Sequence, residues 1–311
     1  MVTESDTAAG APGPSPADRV STAVDGVTVL GALSPSRASD FMACPLLYRF
    51  RTVDRLPEPP SPDAVRGTLV HKVLEVLFDL PAVDRTPERA RDLLVPSWDQ
   101  MLDEEPAVAE MFTGDGLELA PWLATCREVL DRYFTLEDPT RLEPAERELY
   151  VESLLESRLL LRGFVDRLDV SPDGRLRVVD YKTGRSPGPL FEAKALFQMK
   201  FYALVIWRNR GVVPTVLQLV YLGNAELLRY EPDEQDLLAT ERKVVAIWQA
   251  IRQAEETGDW RPNPGRMCDW CSHQAICPAW GGTPPPLPER PVSAPDPAGD
   301  LDTDEGVTGL V

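Results

Sequence analysis

Residues 163–184 read GFVDRLDV, SPDG, RLRVVDYKTG: two runs of β-branched, apolar and charged residues joined by Ser171-Pro172-Asp173-Gly174. Serine first, proline second and glycine fourth fit a type I turn with Gly174 in the left-handed bulge position, the three-residue hairpin loop. If Ser171 opposes Arg175, the register places Asp166 opposite Asp180. Two facing carboxylates repel, and Phe164, Leu168, Leu176 and Val178, expected on the same face, limit relief by solvent. A divalent cation removes that conflict, and oxygen ligands suit Mg²⁺ or Mn²⁺. Period-two alternation puts Lys182 on the Asp180 face, where an ammonium orients an attacking water and stabilises developing charge. Taken alone, the same residues also fit ordinary polar positions at a strand end with the register off by one.

Working outward, Ser34-Pro35 reads as an N-cap followed by a first-turn proline, with Phe41, Leu46, Leu47 and Phe50 apolar. Arg66–Leu80 repeats apolar residues at helical spacing, with His71 beside the stripe, and residues 82–140 read as two or three helices with Trp98, Trp122, Tyr133 and Phe134 as core. Downstream, Pro189–Arg208 is a predicted helix, Thr215–Leu222 a strand, and Glu231–Thr257 a helix ending near Gly258. The order predicts an α/β core, a mixed sheet flanked by helices, with a helical insertion at about 82–140.

With 43% hydrophobic residues in 311, the chain can bury a sizeable core. Segments 1–26 and 281–311 are rich in Pro, Gly, Ala and Asp and are expected to be disordered acidic tails, leaving 27–280 as one folded domain. The net charge of −18 argues against a basic nucleic-acid surface, but its distribution weakens the objection. Residues 79–150 carry −11 and the tails −3 and −5, whereas 27–78 carry +1 and 151–280 are neutral. No apolar run long enough to span a bilayer and no basic-then-apolar N-terminus occurs, so the expectation is a cytoplasmic protein without membrane contact. Five cysteines without a secretion signal point to metal ligands or free thiols.

The segments GFVDRLDV and VVDYKTG resemble the central motifs of the RecB-like PD-(D/E)XK nucleases, G-x-x-D-R-x-D and D-Y-K-[ST]-G. Gly67-Thr68-Leu69-Val70-His71 fits that family's G-T-x-x-H helix, and Gln198 to Tyr202 fits its Q-x-x-x-Y. The resemblance implies the restriction-endonuclease-like fold and a Mg²⁺- or Mn²⁺-dependent deoxyribonuclease. In it, His71, Asp166 and Asp180 bind the metal with the Val179 carbonyl, Lys182 is catalytic, and Gln198 and Tyr202 position DNA or the active site. Tyr181 and Arg185 would assist. An additional acidic ligand would be Glu146 or Glu148, with Glu146 slightly preferred.

Cys268, Cys271 and Cys277 have C-x₂-C-x₅-C spacing, which marks metal ligands or a redox site. Cys126 reads as a buried helix thiol, so Cys44, beside Pro45, is the fourth ligand. One upstream cysteine plus a C-terminal trio is similar to the iron-sulfur branch of the family, including AddB and the four-cysteine nucleases associated with CRISPR systems. That implies a 4Fe-4S cluster acting as a staple, with Zn²⁺ as the rival. His273, within this region, reads as a surface or supporting residue.

The resulting expectation is hydrolysis of DNA, exonucleolytic on single-stranded or free ends, in repair or recombination. With no Walker A pattern present, unwinding would come from a separate helicase. Two rival readings are a catalytically silent DNA-binding or scaffolding subunit of a helicase-nuclease complex, and a redox or metal sensor. The first should have lost the Asp180 and Lys182 chemistry, and the second should carry a further reactive cysteine or effector module. Neither condition is met.

Overall fold

The computed structural model describes residues 23–24, 27–114, 116–188 and 192–288. Two short strands, β1 (Ala23–Val24) and β2 (Val27–Thr28), pair with each other before the main sheet begins at β3 (Gly31–Leu33). Helices α1 (Pro35–Ala43) and α2 (Pro45–Tyr48) follow, meeting at Cys44. The Ser34 side chain caps α1 by accepting from the Arg37 amide at 3.3 Å, as the Ser-Pro start predicts. Next come α3 (Pro62–Leu77), α4 (Pro87–Glu104) and α5 (Leu119–Leu136). The C-terminal half holds β4 (Glu146–Leu154), β5 (Leu159–Val170), β6 (Leu176–Lys182), α6 (Glu192–Arg210), β7 (Val216–Tyr221), β8 (Glu226–Tyr230) and α7 (Glu234–Thr257).

The six strands β3 to β8 form one mixed sheet, with β3 parallel to β5, β6 parallel to β7, and the other pairs antiparallel. Parallel pairing of β6 with β7 follows from the α6 connection between them, because a tight turn can join only antiparallel strands. The expected hairpin register holds: Arg167 faces Val179 and Val170 faces Leu176, with Gly174 at φ 83° in the turn. Strand β8 was not anticipated, since its run from Glu226 to Tyr230 is short and mostly exposed.

Two cores lie on opposite faces of the sheet. Leu176 and Val178 of β6 belong to the one built with α1, α6 and α7, whereas Val179 and Tyr181 belong to the one built with α3, α4 and α5. Helix α6 is buried nearly all round, through Phe197, Met199, Phe201, Leu204, Val205 and Ile206. Its lack of amphipathicity is what a helix packed between a sheet and another helix requires. Each such side chain contributes about 1.5–3 kcal/mol of burial.

The β1–β2 pairing lies partly within the predicted 1–26 tail. Past residue 280, the Gly282 amide donates to the Cys277 carbonyl at 2.9 Å and the Arg49 guanidinium to the Pro285 carbonyl. The remainder of both predicted tails lies outside the described residues.

Candidate active site and cysteine pocket

The site begins at a fork. Strand β4 covers one edge of β5 from Leu160 to Leu168, while the other edge is shared by β3 beside 159–161 and β6 beside 167–170. Asp166 and Asp180 occupy the next position of the hairpin register, and the ladder ends one step before them. Opposed buried carboxylates disfavour continued pairing there.

A second local feature aims Asp166. Glu148, opposite it on β4, has φ 42°, a left-handed conformation that costs a non-glycine residue on the order of 1–2 kcal/mol. Glu146 faces Leu168 and Leu149 faces Val165, so the register passes through this residue unbroken. Yet Leu149 and Val165 join the α6 core, while Arg147 reaches Asp79 at 2.7 Å and Arg167 reaches Glu137 at 2.7 Å on the other side. Alternation therefore resets at Glu148, and Asp166 and Arg167, adjacent in sequence, both turn toward the α3 face. Phe164 keeps to the Asp166 side and packs against the half-exposed Tyr150 with ring centroids 5.4 Å apart, whereas Leu168, expected there too, joins the α6 core.

Helix α3 brings His71, 7% exposed, to this point. Its Nδ1 lies 3.5 Å from Asp166 Oδ2, and its Nε2 lies 2.9 Å from the Tyr181 carbonyl oxygen. Asp166 Oδ2 also accepts from the Tyr181 amide at 2.6 Å. One ligand atom each of His71, Glu148 and Asp166 lie within 4.8 Å of one another, a geometry able to hold a metal ion. Of the two candidate upstream acids, Glu148 and not Glu146 belongs to this group; Glu146 is exposed at the start of β4. The carbonyl beside His71 is that of Tyr181 and not of Val179, which sits within the sheet between Arg167 and Gln218.

Asp180, 1% exposed, keeps the alternation of β6 and faces α6. Lys182 Nζ stands 3.1 and 3.0 Å from its two carboxylate oxygens and donates to Gln198 Oε1 at 3.1 Å. Gln198 Nε2 donates in turn to the Tyr202 hydroxyl at 3.3 Å. Asp180, Lys182, Gln198 and Tyr202 thus form one connected chain across two elements. Arg185 is exposed beyond the strand end.

Gly163 of the first motif has a steric role. A Cβ there would stand 2.7 Å from Tyr202 Cε1 and 3.5 Å from Pro35 Cδ. Tyr202 is 5% exposed, so its ring has little room to withdraw. Gly163→Ala is expected to destabilise by about 1–3 kcal/mol through overpacking. Combined with Tyr202→Leu, it should cost less than the two single changes summed, a coupling measurable by urea denaturation. Strict additivity would contradict this packing account.

The C-terminal turns carry Cys268, Cys271 and Cys277 to the C-terminal end of α1, where they and Cys44 line a cavity of about 550 Å³. The Asn263 amide points at Cys44 Sγ and the Gly265 amide at Cys268 Sγ, both at 3.4 Å. Burial pushes the Cys271 thiol up, and the nearby Glu58, Cys268 and Cys44 push it further. Gathered, partly buried thiols with amides aimed at sulfur are a donor set that fits a cationic centre. Cys126 is instead buried in the α5 core, its thiol raised to about 12 by burial. His273 is buried, not on the surface: its Nε2 lies 2.7 Å from Glu58 Oε1, and its ring packs edge-on against Phe50.

Sequence reasoning found no chemistry in 82–140, and here it missed Glu137. Directly after α5, this carboxylate binds the fully buried Arg167 at 2.7 and 2.9 Å and accepts from Gln218 at 2.9 Å. Burial raises its pKa, but the hydrogen bonds and charge of Arg167 prevail and hold it below the usual carboxylate value. The available signal was Arg167 itself, an arginine inside a buried strand that must have an acidic partner.

The chain belongs to the PD-(D/E)XK nuclease superfamily, whose model matches residues 32–278. Members use divalent metals, and the His71 group supplies suitable donors. The chain is 26% identical to the Gene 69 protein of Mycobacterium phage D29 over 79% of its own length and 96% of the relative's. It is 29% identical to an ATP-dependent helicase/deoxyribonuclease subunit of Streptococcus equi subsp. zooepidemicus over 49% of this chain, which spans only 14% of that protein. A crystal structure of a predicted exonuclease from Eubacterium rectale has the same fold, with TM-score 0.52 and 15% identity over 78% of this chain and 87% of that one. Among the described residues, no helix is long and apolar enough to cross a membrane.

Proposed function

We propose that this protein is a Mg²⁺- or Mn²⁺-dependent deoxyribonuclease acting on single-stranded or free DNA ends. The observation that carries the reading is the convergence of His71, Glu148 and Asp166 at the end of the hairpin ladder, with the Asp180–Lys182 ion pair at the facing register position. His71, Glu148, Asp166 and Asp180, with the Tyr181 carbonyl, would hold the cation. When bound, it supplies Lewis-acid polarisation of the scissile phosphate and activation of water. Lys182 steers the nucleophile and offsets charge developing on the phosphate. Gln198 fixes the Lys182 ammonium, and the buried Tyr202 supports Gln198 at the end of that hydrogen-bond chain.

The helicase/deoxyribonuclease relative, matched over 14% of its length, supports a helicase as the partner, and repair or recombination is the setting proposed with it. The test is cleavage of end-labelled single- and double-stranded DNA with each metal and with chelator. No cleavage of either substrate under any metal would favour the scaffolding reading.

The four cysteines Cys44, Cys268, Cys271 and Cys277 would bind a 4Fe-4S cluster that ties the C-terminal turns to α1. Zn²⁺ is the alternative occupant of the same four thiolates. Anaerobically purified protein is expected to be brown. Cys44→Ser and Cys277→Ser should lose iron and colour, while Cys126→Ser keeps both. Stoichiometric zinc without iron in wild type would overturn the assignment.

A further inference from the structure

We propose that Arg167 and Tyr181 form a positioning clamp that sets the cation affinity of the His71, Glu148 and Asp166 group, with Glu137 at the end of the helical insertion as its anchor. The clamp rests on the reading of that group as a cation site. Tyr181 reaches the group twice through its main chain: its amide donates to Asp166 Oδ2 at 2.6 Å, and its carbonyl oxygen lies 2.9 Å from His71 Nε2. Both peptide units meet at one Cα, so whatever holds the Tyr181 side chain also orients both of these contacts.

That side chain enters the α3–α5 core, where its ring also meets the His71 ring edge-on at 6.0 Å. Its hydroxyl accepts from Arg167 Nη1, the Arg167 guanidinium lies 5.5 Å from its ring centroid, and the Tyr133 ring packs edge-on at 5.8 Å. Arg167 is held in turn, with Nε 3.1 Å from Asp169 and two hydrogen bonds to Glu137. Glu137 follows α5 without an intervening residue and is tied to β7 through Gln218. The path from insertion to cation group is therefore Glu137, Arg167, Tyr181, then Asp166 and His71. The reset at Glu148 turns Asp166 and Arg167 toward one side together: the first serves the group, and the second holds the peptide that orients it. Partners one bond removed from metal ligands commonly alter affinity 10–100-fold.

The test is Mn²⁺ binding by electron paramagnetic resonance on the full-length protein, with thermal melts alongside. Tyr181→Phe keeps the ring and removes the hydrogen bond from Arg167; Arg167→Lys keeps the charge and loses the fork. Both are expected to weaken Mn²⁺ binding about 10-fold, with cleavage largely restored at saturating Mn²⁺. Leu94→Ala, which opens a cavity in the same core, should lower stability and leave Mn²⁺ affinity at the wild-type value. Wild-type affinity in Tyr181→Phe, or equal weakening in Leu94→Ala, overturns the clamp alone. A wild-type protein that binds no Mn²⁺ overturns the cation site, and the clamp with it.

Discussion

Lys182→Met is expected to lower DNA cleavage by about 10²–10³-fold, the usual cost of removing a donor aimed at developing charge, while divalent-cation affinity holds or rises. The sign follows from the contacts. The Lys182 ammonium sits 3.0 Å from Asp180, so it occupies a carboxylate that a cation would otherwise share. Removing it frees Asp180 for metal and leaves no positive charge to steer the nucleophile. Asp166→Ala should lose cleavage and cation affinity together, because Asp166 belongs to the ligand group and also accepts the Tyr181 amide. Isothermal titration with Mn²⁺ beside single-turnover cleavage separates the two outcomes. Tight Mn²⁺ binding by Asp166→Ala, or unimpaired cleavage by Lys182→Met, would remove these residues from the proposed roles.

The largest stability effect is expected from Glu137→Ala, at about 3–5 kcal/mol, the range for breaking a buried ion pair by deleting one partner. Arg167 is fully buried and would keep Asp169 and the Tyr181 hydroxyl but lose its two bonds to Glu137. For a fold of this size the loss corresponds to a drop in Tm of roughly 10 °C. The pH dependence has a definite direction. Glu137 has a lowered pKa in the folded protein. Its contribution is therefore complete above the ordinary glutamate value and lost as pH falls through the folded value. Wild type should weaken on the acid side more steeply than Glu137→Ala. Urea midpoints at pH 7 and in the acid limb decide it, and parallel slopes for the two proteins would refute the assignment.

Much of this was legible beforehand because it depends on local rules. Ser171-Pro172-Asp173-Gly174 specifies a turn, the turn specifies a register, and the observed pairs from Arg167–Val179 to Val170–Leu176 follow it. The Ser34 cap, the α3 helix carrying His71, and the stop of α7 at Gly258 rest on equally local chemistry. Other features resisted. Choosing between Glu146 and Glu148 required knowing that one backbone angle on β4 is left-handed, which two-residue periodicity does not contain. For the same reason Leu168 was expected on the face of Asp166, since strict alternation cannot register a reset at Glu148. Whether His273 lay on the surface or supported the cysteines stayed open because its partner, Glu58, lies 215 positions away.

From the amino-acid order alone came the hairpin, the register of Asp166, Asp180 and Lys182, the spacing of the C-terminal cysteines and the helical insertion, since each follows from turn geometry, periodicity or spacing, whereas His71, Gln198 and Tyr202 came from the family resemblance. Tertiary structure alone decided that the hairpin ladder ends at the acid pair and that Asp166 joins His71 and Glu148 while Asp180 joins Lys182 and Gln198. It also decided that Glu137, on an insertion with no visible chemistry, holds Arg167 behind the site. The physical reason is one of range: turn and helix propensities act over a few residues, whereas a buried charge is satisfied by whichever partner the packed chain brings within about 3 Å.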